Sequence, residues 1–243
     1  MNGILATFLR ELRAYFLSPL AYALLFFLLL ANGILFTMIL VFLNDPLAPP
    51  GRPLDFFFGS SWWMLIFVGP LLTMRLLAEE RKSGTIEVLM TAPVTEAQVV
   101  LGKYLAALAF FVVLWLPTLV YAGIVAFYSE IDWGVVAAGY LGVVLVGGLI
   151  LSVGMLTSAL TRNQVIAAVS AVALSFALYI FTVFEQAVSS QALKSAFSYM
   201  SIPDHLEELA KGIVDTRRLV FYLTTTAFFL FLTGRALESG KWR

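Results

Sequence analysis

The residues able to do chemistry in this chain are few, and they fall into two clusters. One is the run Glu79-Glu80-Arg81-Lys82, followed by Ser83-Gly84-Thr85-Ile86-Glu87. The other surrounds the single histidine, His205, with Asp204, Glu207 and Glu208 beside it. A zinc site draws on several His, Cys or carboxylate ligands at set spacing. With one histidine and no cysteine, the second cluster reads instead as the hydrated face of a helix. That helix would show Leu206, Leu209 and Ile213 to a membrane surface. The missing cysteines also remove a cysteine nucleophile, a thiolate metal site and a disulfide framework. A serine hydrolase would need a histidine beside a serine inside the membrane, and His205 stands in a polar segment. ATP hydrolysis on this chain fails as well. A P-loop needs Gly-x4-Gly-Lys-Ser/Thr, whose amides and lysine cradle the phosphates. Gly102-Lys103 is followed by Tyr104 and has Ala97 at the first glycine position, and Gly240-Lys241 is followed by Trp242. Any ATP hydrolysis therefore belongs to a different polypeptide.

These clusters sit in an apolar chain. Of 243 residues, 61% are hydrophobic and 12% charged, with a mean hydropathy of +0.94. A soluble domain holds about 45–50% and about 25% respectively. One soluble core could not hide that surface, so the chain needs lipid. The balance of 15 basic against 15 acidic residues lacks the basic surplus of a nucleic-acid binder. A bilayer core asks for about 20 apolar helical residues. Residues 19–43, 56–77, 101–128, 135–160, 165–184 and 219–237 each meet that length, with a kink expected at Pro117. The fold class is an all-α integral membrane protein of six transmembrane helices. No carboxylate lies deep in a span, and Glu185 stands at the outer end of the fifth. Proton-coupled carriers and intramembrane aspartyl proteases lose their chemistry on that ground.

Lys and Arg set the orientation. Arg10, Arg13, Arg75, Arg81, Lys82, Lys103, Arg162, Arg235, Lys241 and Arg243 gather on one side, against Arg52, Lys194, Lys211, Arg217 and Arg218 on the other. The richer side should be cytoplasmic, with both termini inside. Residues 1–18 read as an amphipathic interfacial helix, capped by Asn2. Ile4, Leu5, Phe8, Leu12, Tyr15 and Phe16 recur at helical spacing, and Arg10 and Arg13 supply a basic face. The alternative is simply a polar start to the first span. Ser18-Pro19 marks the bend into the bilayer.

After the second span, Glu79 to Lys82 should extend the helix into water until Ser83-Gly84 ends it. Thr85 then caps a short helix edged by Ile86, Leu89 and Met90 beside Glu87, and Pro93 stops it. Thr95-Glu96-Ala97-Gln98 forms a capping box, with Val94 and Val99 as its staple. Such a rigid, charged, partly apolar element suits the docking of another protein; an ordinary solvated loop is the other reading.

The stretch from Glu79 through Thr85-Ile86-Glu87-Val88-Leu89-Met90 to Val94 resembles the segment after the second helix of ABC-2 type transporter permeases. The likeness continues through Leu101-Gly102-Lys103-Tyr104, Tyr15-Phe16-Leu17-Ser18-Pro19 and residues 211–222. It is nearest to the gliding-motility-type bacterial subgroup, whose pattern the Lys241-Trp242-Arg243 end also fits. The resemblance implies one transmembrane domain over residues 1–243. Within it, residues 1–18 form the interfacial helix, 75–100 the coupling loop, and 186–216 an extracellular segment with short re-entrant helices. It also implies a bacterial cytoplasmic membrane location. The implied partners are ABC ATPase subunits, a second permease copy or a related permease, and in some assemblies an auxiliary membrane protein. ATP and Mg would sit on the ATPase, with no cofactor or metal on this chain. The ATPase contacts map onto Arg10, Arg13, Glu79, Glu80, Arg81, Lys82, Gly84, Thr85, Glu87 and Leu89.

Small residues stripe the fifth span at Ala167, Ala171 and Ser175, and the fourth carries Gly148 with Ser152 and Gly154 with Ser158. Stripes of this kind let helices approach closely in lipid, either within the subunit or at a subunit interface. The expected function is transport by an exporter permease through alternating access. The alternative is a non-transporting membrane scaffold that docks a cytoplasmic partner through the same loop.

Overall fold

A computed structural model of the chain describes residues 3–84, 95–187, 194 and 198–239. Among these, every regular element is helical. The first helix, α1 (Gly3–Leu17), ends at Ser18, whose extended backbone (φ −84°, ψ 124°) is followed by Pro19 in the first turn of α2 (Pro19–Leu43). Proline lacks the N–H that a first turn leaves unpaired anyway, so the chain can turn there and restart a helix at once. The elbow lies where Ser18-Pro19 places it. Asn2, its expected cap, lies outside the described residues.

The second expected span is not one helix. Residues 56–77 run from within α3 (Pro53–Ser60) through α4 (Trp62–Thr73) to a break, beyond which α5 (Ala78–Ser83) carries the charged run. Pro70 removes one N–H from α4, and the Thr73 hydroxyl folds back onto the carbonyls of Gly69 and Pro70. A turn fills residues 74–77. Ser158 makes that break tenable: its Oγ accepts the N–H groups of Leu77 (3.1 Å) and Ala78 (3.0 Å) and donates to the Met74 carbonyl (3.0 Å). Backbone groups freed by the broken helix would otherwise be buried unpaired. α5 then ends at Gly84, whose φ of +73° is left-handed and suits glycine.

Thr95 caps α6 (Glu96–Trp115) with the expected reciprocal box: Gln98 N–H donates to Thr95 Oγ1, and Thr95 N–H to Gln98 Oε1. Pro117 converts the chain to a 3-10 turn at Leu116–Thr118, after which α7 (Leu119–Tyr128) completes the third span. α8 (Trp133–Leu160) is the central helix, with Val143, Val146, Leu149 and Ile150 almost wholly buried. Helices α4, α6, α9 (Gln164–Ala187) and α11 (Thr216–Ser239) all pack on it. Among the described residues, five stretches are long and apolar enough to cross a membrane: Pro19–Leu43, Trp62–Ser83, Glu96–Tyr128, Trp133–Leu160 and Thr216–Glu238. The fifth expected span, 165–184, falls on α9, whose apolar part Gln164–Ile180 is shorter.

The helix that carries the histidine, α10 (Ile202–Ala210), departs from expectation. His205 is fully buried, as are Leu206 and Leu209. Its Nδ1 lies 3.0 Å from the Tyr222 hydroxyl on α11. Leu206 and Leu209 press on α8 at Gly142 rather than on a membrane surface. The hydrated face is narrower and centres on exposed Glu207, while Ile213 beyond the helix is exposed. A helical wheel gives the width of the apolar stripe; the neighbouring helices decided that His205 belongs to it.

Candidate functional site

The charged run lies at one end of the bundle, beside α1 and the start of α6. Lys103 is at its centre. The ammonium is 1% exposed, 2.9 Å from Glu11 Oε1 on α1 and 2.8 Å from Glu80 Oε1 on α5. Arg10 Nη2 reaches the same two carboxylates at 2.8 and 3.4 Å. Two cations and two anions from three helices thus converge at one joint. Burial alone would raise the Glu11 carboxyl, but Lys103 and then Arg10 outweigh it and hold it below its ordinary value.

The residue before Lys103 makes the joint possible. A Cβ on Gly102 would lie 2.7 Å from the Thr7 Cβ and 2.9 Å from the Ile4 carbonyl, so α1 and α6 cross with their backbones nearly touching. Gly102-Lys103 binds no phosphate loop; it joins two helices. Further contacts tie in the remaining elements. Tyr15 stacks on Phe110 (5.0 Å between ring centres) and donates to the Leu72 carbonyl at 2.8 Å. Arg75 Nη1 donates to Ser18 Oγ at 3.1 Å, and Arg81 Nη2 to the Ala236 carbonyl on α11 at 3.0 Å.

The structure separates the expected docking residues. Glu80 turns inward to Lys103, with its side chain 20% exposed. Glu79 faces outward at 54% and lies 3.5 Å from Arg75. Arg10, Arg13, Lys82 and Gly84 are exposed, and Arg81 is half-buried. Thr85, Glu87 and Leu89, with the rest of the expected short helix, lie outside the described residues. Ala167, Ala171 and Ser175 are buried within the chain itself, where the Ala167 carbonyl accepts the Thr157 hydroxyl at 3.1 Å. Among the described residues, no group of three His or carboxylate side chains could hold a metal.

Glu11, Lys103 and Ser158 were not singled out by sequence reasoning as site residues. The signal for Lys103 is a lone base in an otherwise apolar helix, which implies a partner. The glutamate on an otherwise basic N-terminal helix is the matching signal. Nothing local distinguishes Ser158 from its neighbours in the small-residue stripe, because its role depends on a break in another helix.

A family model described as "ABC-2 family transporter protein" matches residues 55–241. The match takes in α5, α6 and α11 but leaves α1 and α2 outside it. No curated protein matches the chain significantly.

Proposed function

The chain belongs to the ABC-2 transporter family, and we propose that it is the six-span permease subunit of an exporter driven by a separate ATPase. The joint at Lys103 is the observation that carries this reading. It ties α1, α5 and α6 into one charged unit at one end of an otherwise apolar bundle. A force applied to α5 would reach α6, which begins a span, and α1, which leads through the elbow into another. Those are the links that alternating access requires of a permease moved by a partner. The single transmembrane domain has its N- and C-terminal segments on the cytoplasmic side, where Lys and Arg are most numerous, and α9 supplies the fifth of its six crossings. The permease works as a pair, in a bacterial cytoplasmic membrane, and falls nearest to the gliding-motility-type subgroup.

Docking of the ATPase is assigned to the outward side of the joint, at Arg10, Arg13, Glu79 and Lys82, and, on the sequence resemblance, to Thr85, Glu87 and Leu89. Glu80 serves as an internal strut. The test reverses two exposed charges, Arg13→Glu with Lys82→Glu, in the full chain co-expressed with its ATPase. Membrane abundance should be unchanged while co-purification of the ATPase falls. Retained ATPase at wild-type level would refute the docking assignment. Topology is checked separately in this cysteine-free background: Ser83→Cys should label only from the cytoplasm and Glu207→Cys only from outside.

A further inference from the structure

A cleft of about 140 Å³ opens between the α1–α2 elbow and the break from α4 to α5. Its floor is aliphatic, with Leu24 on one side and Leu71 on the other, and its rim is polar, with Glu11, Ser18, Arg75 and Glu79. The elbow is where an interfacial helix becomes a spanning one, so on the membrane placement proposed above the rim stands at headgroup level and the floor at the first acyl carbons. We propose that this cleft binds a phospholipid with a primary-ammonium headgroup, phosphatidylethanolamine.

The charges select that class. The Arg75 side chain is 41% exposed; it donates one N–H to Ser18 Oγ and stands in ion-pair range of Glu79, with Nε 3.5 Å from Oε2. Arginine carries five N–H donors in a planar fork that matches phosphate, so the remaining edge can take a phosphate. Glu79, 54% exposed, lies next to that position and accepts from an ammonium. The rim holds two carboxylates and one guanidinium, and Glu11 is already engaged by Lys103 and Arg10. A phosphatidylglycerol headgroup offers Arg75 the same phosphate but ends in neutral hydroxyls, so it leaves the Glu79 charge without a cation. A choline headgroup would bring positive charge but no N–H to donate. Of these three headgroups, ethanolamine brings both a phosphate for Arg75 and an N–H-donating cation for Glu79.

The experiment uses the full chain, purified and delipidated in detergent, and counts bound lipid by native mass spectrometry. Dioleoyl phosphatidylethanolamine, phosphatidylcholine and phosphatidylglycerol are titrated in parallel. Phosphatidylethanolamine should bind about tenfold more tightly than either of the others, a difference of about 1.4 kcal/mol. Glu79→Gln, at an exposed position, should bring it down to the phosphatidylcholine level. Arg75→Gln should weaken both lipids together. Free phosphoethanolamine at the same concentration should not displace the lipid, because the aliphatic floor contributes to binding. Equal binding of all three lipids, a preference that survives Glu79→Gln, or displacement by the free headgroup would each overturn the assignment. The assay involves no ATPase, so its failure leaves the docking assignment standing.

Discussion

Two clusters of charge, nearly equal in number of residues, behave in opposite ways. At the α1–α5–α6 joint, Lys103 is 1% exposed and both of its carboxylates are largely covered. Around α10, the pair Lys211–Glu207 lies at the surface with both side chains more than half exposed, and Arg218, itself 15% exposed, reaches outward to Glu208 at 36%. The joint is built from charge and sheltered by helices. The α10 region is built from apolar packing, and its charges decorate the rim. The difference lies in what happens when one partner is lost. A buried ion stranded by mutation keeps its desolvation penalty without its partner. A surface ion returns to water at little cost.

The largest effect should therefore come from Lys103→Met. The methionine fills similar volume but leaves the Glu11 and Glu80 carboxylates to share the more exposed Arg10 alone, a loss of up to about 3–5 kcal/mol. Thermal unfolding of the detergent-solubilised protein is the measurement. Adding Glu80→Gln to Lys103→Met should recover part of the loss, because one stranded charge disappears. If the double variant is no more stable than the single one, the joint is not held by charge.

The α10 region should break differently. Leu206 is fully buried against α8, and Leu206→Ala should cost about 2–4 kcal/mol through lost burial and the cavity left behind. Its unfolding midpoint should shift by the same amount at low and high salt. A strong salt dependence there would mean that the surface pairs, not the packing, hold α10 down.

How much of this contrast was legible in the sequence depends on range. The elbow at Ser18-Pro19, the stop at Gly84, the box at Thr95–Gln98 and the kink at Pro117 are local devices, and each is where its residues place it. The apolar spans follow from composition and length. The break between α4 and α5 was not legible, since Ser158, which satisfies it, lies some 80 positions away. Nor was the inward turn of Glu80 against the outward turn of Glu79. Adjacent residues on a helix point about 100° apart, but only the positions of α1 and α6 say which of the two directions is buried. His205 failed because its polar neighbours suggested water, whereas its partner, Tyr222, lies on the next helix and meets it only once α11 folds back against α10.

Acid should also separate the two regions. The Glu11 carboxyl is held below its ordinary value, so the unfolded chain binds its proton more readily than the folded one. Its contribution is therefore complete above the unfolded value and fades as pH falls through the folded one. The wild-type protein should lose stability in that acid window relative to its own value at neutral pH. Glu11→Gln starts lower and should lose less over the same window. Parallel pH profiles for the two proteins would show that Glu11 titrates without coupling to folding.

The smallest effect should be at Glu207. Its carboxylate accepts from Lys211 at 2.6 Å, one helical turn away, with both side chains more than half exposed. The distance is shorter than either bond at Lys103, and a reading by distance alone would rank this pair above the buried one. Solvation reverses the order. In water the two ions interact through a high dielectric, and holding two long side chains together opposes much of the gain. Glu207→Gln should therefore change stability by less than about 1 kcal/mol, and by less still in high salt, where the Debye length contracts to about 3 Å at 1 M. Lys103→Met should keep nearly its full effect in the same buffer, because no mobile ion reaches a side chain that the helices cover. Measuring both variants at 0.05 and 1 M salt sets the comparison against itself: if the two losses shrink in proportion, burial does not distinguish the clusters, and the joint at Lys103 is no more than a surface ion pair.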